Sequence, residues 1–301
     1  MYTRMLIPLD GSKTAEKVLP YARTLASKLK IAVELMGVID IAGMAAQISP
    51  ERARYLDTLV EDGVRSSGEY LKTIAKSFPG LSVRCTVEKG RPEDAIIEKA
   101  ATDNKTLIAM ATHGRSGIDR WLLGSIAEKV LRGATNPLLL VRANEEAKSE
   151  GEAAISSVVV PLDGSELAES VLPAVVELAK ALKLEMLLIR AFHIPANTYA
   201  GVEDYAAVDY EEIRAGVKDE AESYLRKKVE ELKRQGVEKV SCTTPEGYGA
   251  EEIIGLGRKT VDNLIAMCTH GRSGVKRWVL GSVTEKVVRH SGDPVLVIRA
   301  V

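Results

Sequence analysis

The sequence predicts an α/β protein made of two doubly wound domains, each with a five-stranded parallel sheet. Strand-like and helix-like segments alternate along the chain, which is typical of parallel sheets. The strand-like segments are nearly continuous apolar runs, as expected where helices cover both faces of a sheet. The same order of segments occurs twice in the 301 residues. Each copy holds roughly 150 residues, which is enough to bury a core without disulfides or metal.

Two long segments of the first copy return almost unchanged in the second. "ATHGRSGIDRWLLGSIAEKVLR" at 111–132 matches "CTHGRSGVKRWVLGSVTEKVVR" at 268–289 at 15 of 22 positions. "MLIPLDGSKTAEKVLPYARTLASKLK" at 5–30 matches "VVVPLDGSELAESVLPAVVELAKALK" at 158–183 at 14 of 26 positions. Solenoid repeats have periods of roughly 20–50 residues, so this much longer spacing indicates a duplicated domain.

The segment between the copies is polar and mostly charged, with no apolar period, as is typical of a linker. We therefore predict a first domain at 1–143, a linker at 144–155 and a second domain at 156–301. Because the linker is short, the two domains are expected to lie against one another.

The first copy shows why each element is predicted. "MLIPLD" is an apolar run that ends in an Asp-Gly-Ser turn signal, and apolar residues at helical spacing follow it up to Leu29. "IAVELMGVID" is the second strand, and a helix is predicted around 63–77. "LSVRCTVEKG", "PEDAIIEKAATD" and "TLIAMAT" then give a strand, a helix and a strand. "GSIAEKVLRGA" is a helix with Gly133 as its C-terminal stop, and "NPLLLVRA" is the fifth strand.

Composition and charge exclude several classes of partner. The formal net charge of -1 gives no global electrostatic reason to expect nucleic acid or an anionic membrane. No run of 18 apolar residues occurs, so no transmembrane helix is expected, and the N-terminus lacks signal-peptide features. Three cysteines without CxxC spacing, two of them at Cys85 and Cys242 in predicted strands, indicate free thiols in a reducing compartment.

The carboxyl ends of the first and fourth strands are the predicted ligand crevice. Doubly wound sheets bind ligands beyond the carboxyl ends of their strands, here at 8–10 and 111–114. The loop after the fourth strand carries Gly114 and Gly117, and Gly124 with Ser125 opens the next helix. Glycines let an anion approach the backbone, and a helix N-terminus supplies free N–H groups with partial positive charge. The loop is therefore a candidate phosphate site.

The arginines of this loop have two possible roles. Arg115 and Arg120 recur as Arg272 and Arg277, so they could contact phosphate or be solvated surface residues. The pattern is neither the Walker A motif nor the dinucleotide GxGxxG.

The helix that follows the loop also has a structural explanation. Ser125 and Glu128 form S-x-x-E, and Ser282 and Glu285 repeat it, which predicts a capping box at both helix starts. A capping box would account for the serine and glutamate but not for the repeated Gly-Arg-Ser-Gly before them.

Two further pairs of polar residues need a role. Asp10 and Asp163 follow the first strand of each copy, where they could serve turn and cap chemistry or face the crevice. His113 and His270 are interpreted as loop hydrogen-bonding residues, because no nucleophile is placed beside them and no metal-ligand spacing occurs. No catalytic residue and no metal ligand is therefore predicted.

On these residues the chain resembles the universal stress protein family. That family has the pattern G-x2-G-x9-G-[ST] after the fourth strand and Pro-x-Asp at the end of the first. The glycine pattern is matched by Gly114, Gly124 and Ser125 in the first copy and by Gly271, Gly281 and Ser282 in the second. Its first glycine is replaced by Ala111 and Cys268. The resemblance covers both copies and implies a Rossmann-like fold of the adenine nucleotide alpha hydrolase-like type.

The resemblance implies one ATP site per domain, with Mg²⁺ on the phosphates. The aspartates would lie at the adenine and ribose side, Val38 and Ala191 would flank the base, and the glycine and serine groups would hold ribose and phosphates. The predicted nucleotide-binding residues are Pro8, Leu9, Asp10, Val38, Gly114, Arg115, Gly117, Gly124, Ser125 and Ile126 in the first copy, and Pro161, Leu162, Asp163, Ala191, Gly271, Arg272, Gly274, Gly281, Ser282 and Val283 in the second.

The implied function is that of a cytoplasmic, ATP-binding stress-response sensor or regulator. Family members pair through their fifth strands, so "NPLLLVRA" and "DPVLVIRA" are expected to pair within this chain, and two chains could form a further dimer. Two alternatives stay open at this point. One is an enzyme that hydrolyses ATP slowly or transfers phosphate, and the other is an interaction module that does not use nucleotide.

Overall fold

The computed structural model describes residues 1–47, 49, 55–113, 123–143, 149–194, 210–269 and 281–300. In the first half strands and helices follow one another, and a short 3-10 turn at Ala15–Val18 lies between the first strand and the first helix. The strands are β1 (Arg4–Pro8), β2 (Ala32–Ile39), β3 (Val83–Lys89), β4 (Thr106–His113) and β5 (Leu138–Ala143). The helices are α1 (Leu19–Leu29), α2 (Ile41–Gln47), α3 (Leu56–Ala75), α4 (Pro92–Ala101) and α5 (Ser125–Gly133).

The second half repeats this order. Its strands are β6 (Ser157–Pro161), β7 (Glu185–Ile189), β8 (Val240–Thr243), β9 (Asn263–Thr269) and β10 (Val295–Arg299). Its helices are α6 (Glu166–Glu169), α7 (Leu172–Leu182), α8 (Tyr210–Arg234), α9 (Gly249–Lys259) and α10 (Ser282–His290). Among the helices of the described ranges, none is both long enough and apolar enough to cross a membrane.

All ten strands form one sheet in the order β3-β2-β1-β4-β5-β10-β9-β6-β7-β8. Within each half every pair of neighbouring strands is parallel, which confirms the predicted doubly wound fold. The halves meet where β5 pairs antiparallel with β10, with Leu139 opposite Leu296. The expected pairing of the two fifth strands is therefore confirmed, and it covers one edge strand of each half.

The core consists of two apolar layers, one on each face of the sheet. Successive strand residues point to opposite faces, so Met5 and Ile7 belong to one layer and Leu6 to the other. The first layer packs against α1, α3, α7 and α8, and the second against α4, α5, α9 and α10. Both layers contain residues from both halves, so the apolar core continues across the β5–β10 junction.

Gly133 differs from its predicted role. It is the last residue of α5 and does not have the positive φ of a glycine stop, since the next residue, Ala134, is extended at φ −72° and ψ 141°. A Cβ at Gly133 would lie 2.6 Å from Cδ1 of Ile97 in α4. Glycine at this position therefore allows close packing of two helices.

The described part of the linker runs along α1. The Arg23 guanidinium donates to the carbonyls of Ser149 (3.0 Å) and Gly151 (2.7 Å). The Thr24 hydroxyl donates to the carbonyl of Ala153 at 2.7 Å, and the amide of Ala153 donates to the carbonyl of Pro20. Hydrogen bonds with α1 therefore hold the linker on the first half. The polar composition of the linker did not predict these bonds.

Candidate functional site

Each half has one crevice at the carboxyl ends of its strands. The first has a cavity volume of about 140 Å³ and lies between the ends of β1, β2 and β4 and the start of α5. The predicted residues that line it are Pro8, Leu9, Asp10, Val38, Gly124, Ser125 and Ile126. All the predicted site residues of the first copy that the structure describes therefore meet in one place.

The second crevice is the counterpart of the first and has a cavity volume of about 260 Å³. Its predicted lining residues are Pro161, Leu162, Asp163, Ala191, Gly281, Ser282 and Val283. The remaining predicted residues, namely Gly114, Arg115, Gly117, Gly271, Arg272 and Gly274, lie outside the described residues, as do Arg120, Arg277, His270 and the side chain of His113.

The starts of α5 and α10 have no side-chain cap. The N-cap residues are Gly124 and Gly281, and no side chain of the described chain accepts a hydrogen bond from the first turn of either helix. The predicted capping box is therefore wrong, because Ser125 and Ser282 are the first helical residues and lie one position too late to cap. A helix start leaves backbone N–H groups without intrahelical partners, and here those groups open onto the crevices.

Glu128 and Glu285, the other half of the predicted boxes, bind arginine instead. Glu128 accepts from Arg132 in its own helix and lies 3.5 Å from Arg289 of α10. Glu285 accepts from Arg289 at 2.9 Å. These carboxylates leave the first turn of each helix unblocked.

The two aspartates combine the roles that the sequence left open. The Asp10 carboxylate accepts from the amide of Ser12 at 2.9 Å, and that of Asp163 accepts from the amide and hydroxyl of Ser165 at 2.9 and 2.6 Å. Both serve turn chemistry, and both are exposed at a crevice. Burial tends to raise the pKa of Asp163, but the bonds from Ser165 and the nearby Arg190 guanidinium hold it below its ordinary value.

The crevices differ at two positions, one at the end of the fourth strand of each half and one at the end of the second. Cys268 lines the second crevice where the first has Ala111, and its Sγ lies 2.8 Å from the hydroxyl of Ser170. Burial raises the pKa of the Cys268 thiol, so the side chain is an uncharged thiol at neutral pH. Arg190 follows β7, lies near Asp163 and stands where the first half has Gly37, so the second crevice has an additional cation nearby.

Several lining residues were missed by the sequence reasoning. Those of the first crevice are Ser12, Thr14, Ala15, Met36, Pro92, Ile96, Met110 and Ala127. All of them have counterparts in the second crevice at the offsets that separate the two copies, such as Met110 with Met267 and Ile96 with Ile253. Comparing the copies at strand ends and helix starts could have found them, but their apolar character alone is that of ordinary core residues.

Among the described residues, no three His, Cys, Asp or Glu side chains gather as they would to hold a metal ion. The described polar groups of each crevice are a carboxylate, hydroxyls and backbone amides, together with one thiol in the second. Such groups can bind a ligand that carries both hydroxyls and an anionic group.

The comparisons with known proteins agree with this architecture. The family model described as "Universal stress protein family" matches residues 1–142 and 155–299. The chain therefore belongs to the universal stress protein family, with two family units in tandem.

Similar proteins include one that matches nearly the whole chain and one that matches about half of it. A universal stress protein of Mycobacterium tuberculosis is 22% identical over 307 residues, which cover 98% of this chain and 96% of that protein. A universal stress protein of Methanocaldococcus jannaschii is 30% identical over 142 residues, covering 47% of this chain and 83% of that protein. The crystal structure of a universal stress protein from Archaeoglobus fulgidus aligns with a TM-score of 0.75 at 22% identity over 99% of both chains, which shows a shared fold.

Proposed function

We propose that this protein binds ATP, with one nucleotide in each crevice, and acts as a regulator in the stress response. The observation that carries the proposal is the pair of helices, α5 and α10, that begin without a side-chain cap at a glycine-lined crevice. A helix start of this kind favours a phosphate group through its free amides and its dipole.

The phosphate side of each crevice is built for a close approach of backbone to ligand. Gly281 has φ −55° and ψ 141°, which any residue can adopt, so its backbone angles do not demand glycine. Among the described residues, a Cβ there would meet only the Thr284 hydroxyl, at 4.0 Å. What glycine provides at this position is free access to the amides behind it.

The opposite side of each crevice is suited to a base. In the first crevice it is formed by Met36, Val38, Pro92, Ile96 and Met110, all apolar, with Asp10 nearby. Ligand pockets of this kind combine an apolar wall with a few polar groups that fix orientation. An adenine ring on this wall and a triphosphate at the helix start would use both parts. The ATP would carry its own Mg²⁺ on the phosphates.

The proposal is tested by equilibrium dialysis with labelled ATP, for which we expect about two sites per chain. Gly124→Val and Gly281→Val should each remove one site, because a branched side chain would fill the space at the helix start. Gly216→Val is the matched control, since this exposed helical glycine of α8 lies outside both crevices. No ATP retained at millimolar concentration would overturn the proposal.

Two further measurements on the same protein distinguish the remaining alternatives. An interaction module that does not use nucleotide would show no rise in melting temperature with ATP, whereas binding to the folded state must raise it. Phosphate release above that of the double glycine variant would indicate slow hydrolysis. The proposed setting is the cytoplasm, and the proposed domain bounds are 1–143 and 156–301.

A further inference from the structure

We propose that the second crevice has an aromatic stacking surface, at positions that are not aromatic in the first half, and that it binds the base of a nucleotide. This inference rests on the proposed function. The surface consists of His193 and Tyr248, whose ring centroids lie 4.3 Å apart with the rings tilted by 35°. Both side chains are exposed, and Tyr248 keeps 63% of its surface accessible. An exposed aromatic pair with open surface is a suitable partner for another ring.

The aromatic surface lies directly beside the apolar side of the crevice. Ala191, two residues before His193, lines the crevice, and so does Gly249, which follows Tyr248. The other apolar residues on this side are Ile189, Ile253 and Met267. The polar residues Ser165, Ser282 and Thr284 belong to the helix starts. A nucleotide with its phosphates at α10 would therefore have its base on the side next to Tyr248.

The two backbone segments that carry the rings are hydrogen-bonded to each other. The amide of Phe192 donates to the carbonyl of Pro245 at 3.1 Å, and the amide of Gly247 donates back to the carbonyl of Phe192 at 2.8 Å. Gly247 has φ +156°, and a Cβ there would lie 2.3 Å from Oε1 of Glu252. Because the loops are bonded to each other, little conformational freedom is lost when a base stacks on them.

The described residues of the first half form no such surface at the equivalent positions. Its equivalent positions, counted by the offsets between the copies, are Asp40 and Arg91. The Asp40 carboxylate accepts from the amide of Gly43 at 2.9 Å, and Arg91 is the N-cap residue of α4, as Tyr248 is of α9. The duplication has thus produced one crevice with a charged rim and one with an aromatic rim. The second crevice is expected to discriminate more strongly for a purine base.

The test uses the full chain carrying Gly124→Val, in which only the second site remains, and calorimetric titration. Tyr248→Ala should weaken ATP binding by about five-fold or more, the lower end of what base stacking contributes, and should reduce the preference for ATP over CTP. Tyr248→Phe should keep both, since stacking needs the ring and not the hydroxyl. Tripolyphosphate, which has no base, should bind equally to both variants.

Three outcomes would overturn the inference. Unchanged ATP affinity in Tyr248→Ala would mean that the ring does not touch the base, while the proposed function would stand. Equal losses for ATP and tripolyphosphate would mean that the substitution distorts the crevice. An equal loss from Arg91→Ala at the first site, measured in Gly281→Val, would remove the claimed difference between the halves. Absence of ATP binding in the parent chain would instead be a failure of the proposed function.

Discussion

At the scale of single residues, the loop before the fifth strand is held by different hydrogen bonds in the two copies. At the loop before the fifth strand the second half has Asp293, whose carboxylate accepts from Asn263 at 3.0 Å and from the Ser291 hydroxyl at 3.3 Å. The first half has Asn136 at this position, and its amide donates to the carbonyl of Asp103 at 2.9 Å. The same loop is therefore held by a partly buried acid in one half and by a buried amide in the other.

The first prediction concerns the pH dependence that this acid causes. Burial raises the pKa of Asp293 above its ordinary value, although the bonds from Asn263 and Ser291 act against the rise. A raised pKa in the folded state means that the acid contributes most to stability below about pH 3.9, the ordinary value. That contribution is lost as the pH rises through the folded pKa. Asp293→Asn, the residue of the first copy, should therefore gain stability relative to wild type over this window.

The measurement is urea unfolding of both proteins at a series of pH values. We expect the difference in the free energy of unfolding to grow in favour of Asp293→Asn and then to level off above the raised pKa. A difference that is constant with pH would contradict this account of the partly buried Asp293 carboxyl.

A second residue-level difference is the buried ion pair of the first half. Glu34 is only 5% exposed and accepts from Arg4 at 2.7 Å, with Lys99 at 3.3 Å. Glu34→Leu imports the residue that the second copy has at this position, and leaves both cations without their shared partner. We expect a loss of roughly 2–3 kcal/mol, less than for a fully buried pair because both cations are partly exposed.

The control again comes from the second copy. The triple variant Arg4→Ser, Glu34→Leu and Lys99→Leu carries the residues found at 157, 187 and 256. It should recover most of the lost stability in urea unfolding, because no buried charge is left unpaired. A triple variant as unstable as Glu34→Leu alone would show that the loss comes from packing.

At the scale of elements, helix starts divide into capped and uncapped ones. The Ser165 hydroxyl accepts from the amide of Ala168 at 3.1 Å and caps α6, and the Ser12 hydroxyl does the same for Ala15. Ser125 and Ser282 cap nothing. At each crevice, therefore, one serine accepts a capping hydrogen bond at a helix start and the other does not. Only the three-dimensional structure distinguishes the two roles.

The element-level prediction compares these serines by thermal and urea unfolding. Ser165→Ala should cost about 1 kcal/mol through the lost cap. Ser125→Ala and Ser282→Ala should change the free energy of unfolding much less, because no cap bond is removed. A cost at Ser125 equal to that at Ser165 would contradict the uncapped helix start on which the proposed phosphate site depends.

At the scale of the whole molecule, the sheet and the apolar core continue across the junction of the halves. Leu139 and Leu296 face each other across β5 and β10, and both are buried in the same layer. The Arg299 side chain crosses the junction and donates to the carbonyl of Leu131 in α5, and burial lowers its pKa to about 10. The sheet, the core and these contacts are continuous, so we expect the halves to unfold together.

The whole-molecule prediction follows from this continuity. Leu139→Ala and Leu296→Ala should each cost about 2–5 kcal/mol, as is usual for buried leucine. Their effects should not add, because the side chains share one contact. The wild type should show one urea transition by circular dichroism and by hydrogen exchange in both halves. Additive effects, or two separate transitions in the wild type, would mean that the halves are independent.

The sequence alone was sufficient for the architecture. Apolar runs, helical periods and the duplication predicted the doubly wound halves, because each of these signals depends on residues close together in the sequence and occurs in both copies. Strand ends at Pro8–Asp10 and the Gly124-Ser125 pair located the crevice, since parallel strands end at one edge of the sheet. The pairing of fifth strands came from the family resemblance rather than from any local signal.

Tertiary structure alone decided what individual residues do. Ser125 reads as a capping serine in the sequence, but one position along the helix removes that role. Gly133 reads as a helix stop but makes room for Ile97, which lies on another helix. His193 and Tyr248 are far apart in the chain and meet only because two loops bond to each other. The sequence pattern predicts which helices and strands form, because it depends on neighbouring residues. Contacts between distant segments form only when those helices and strands pack together.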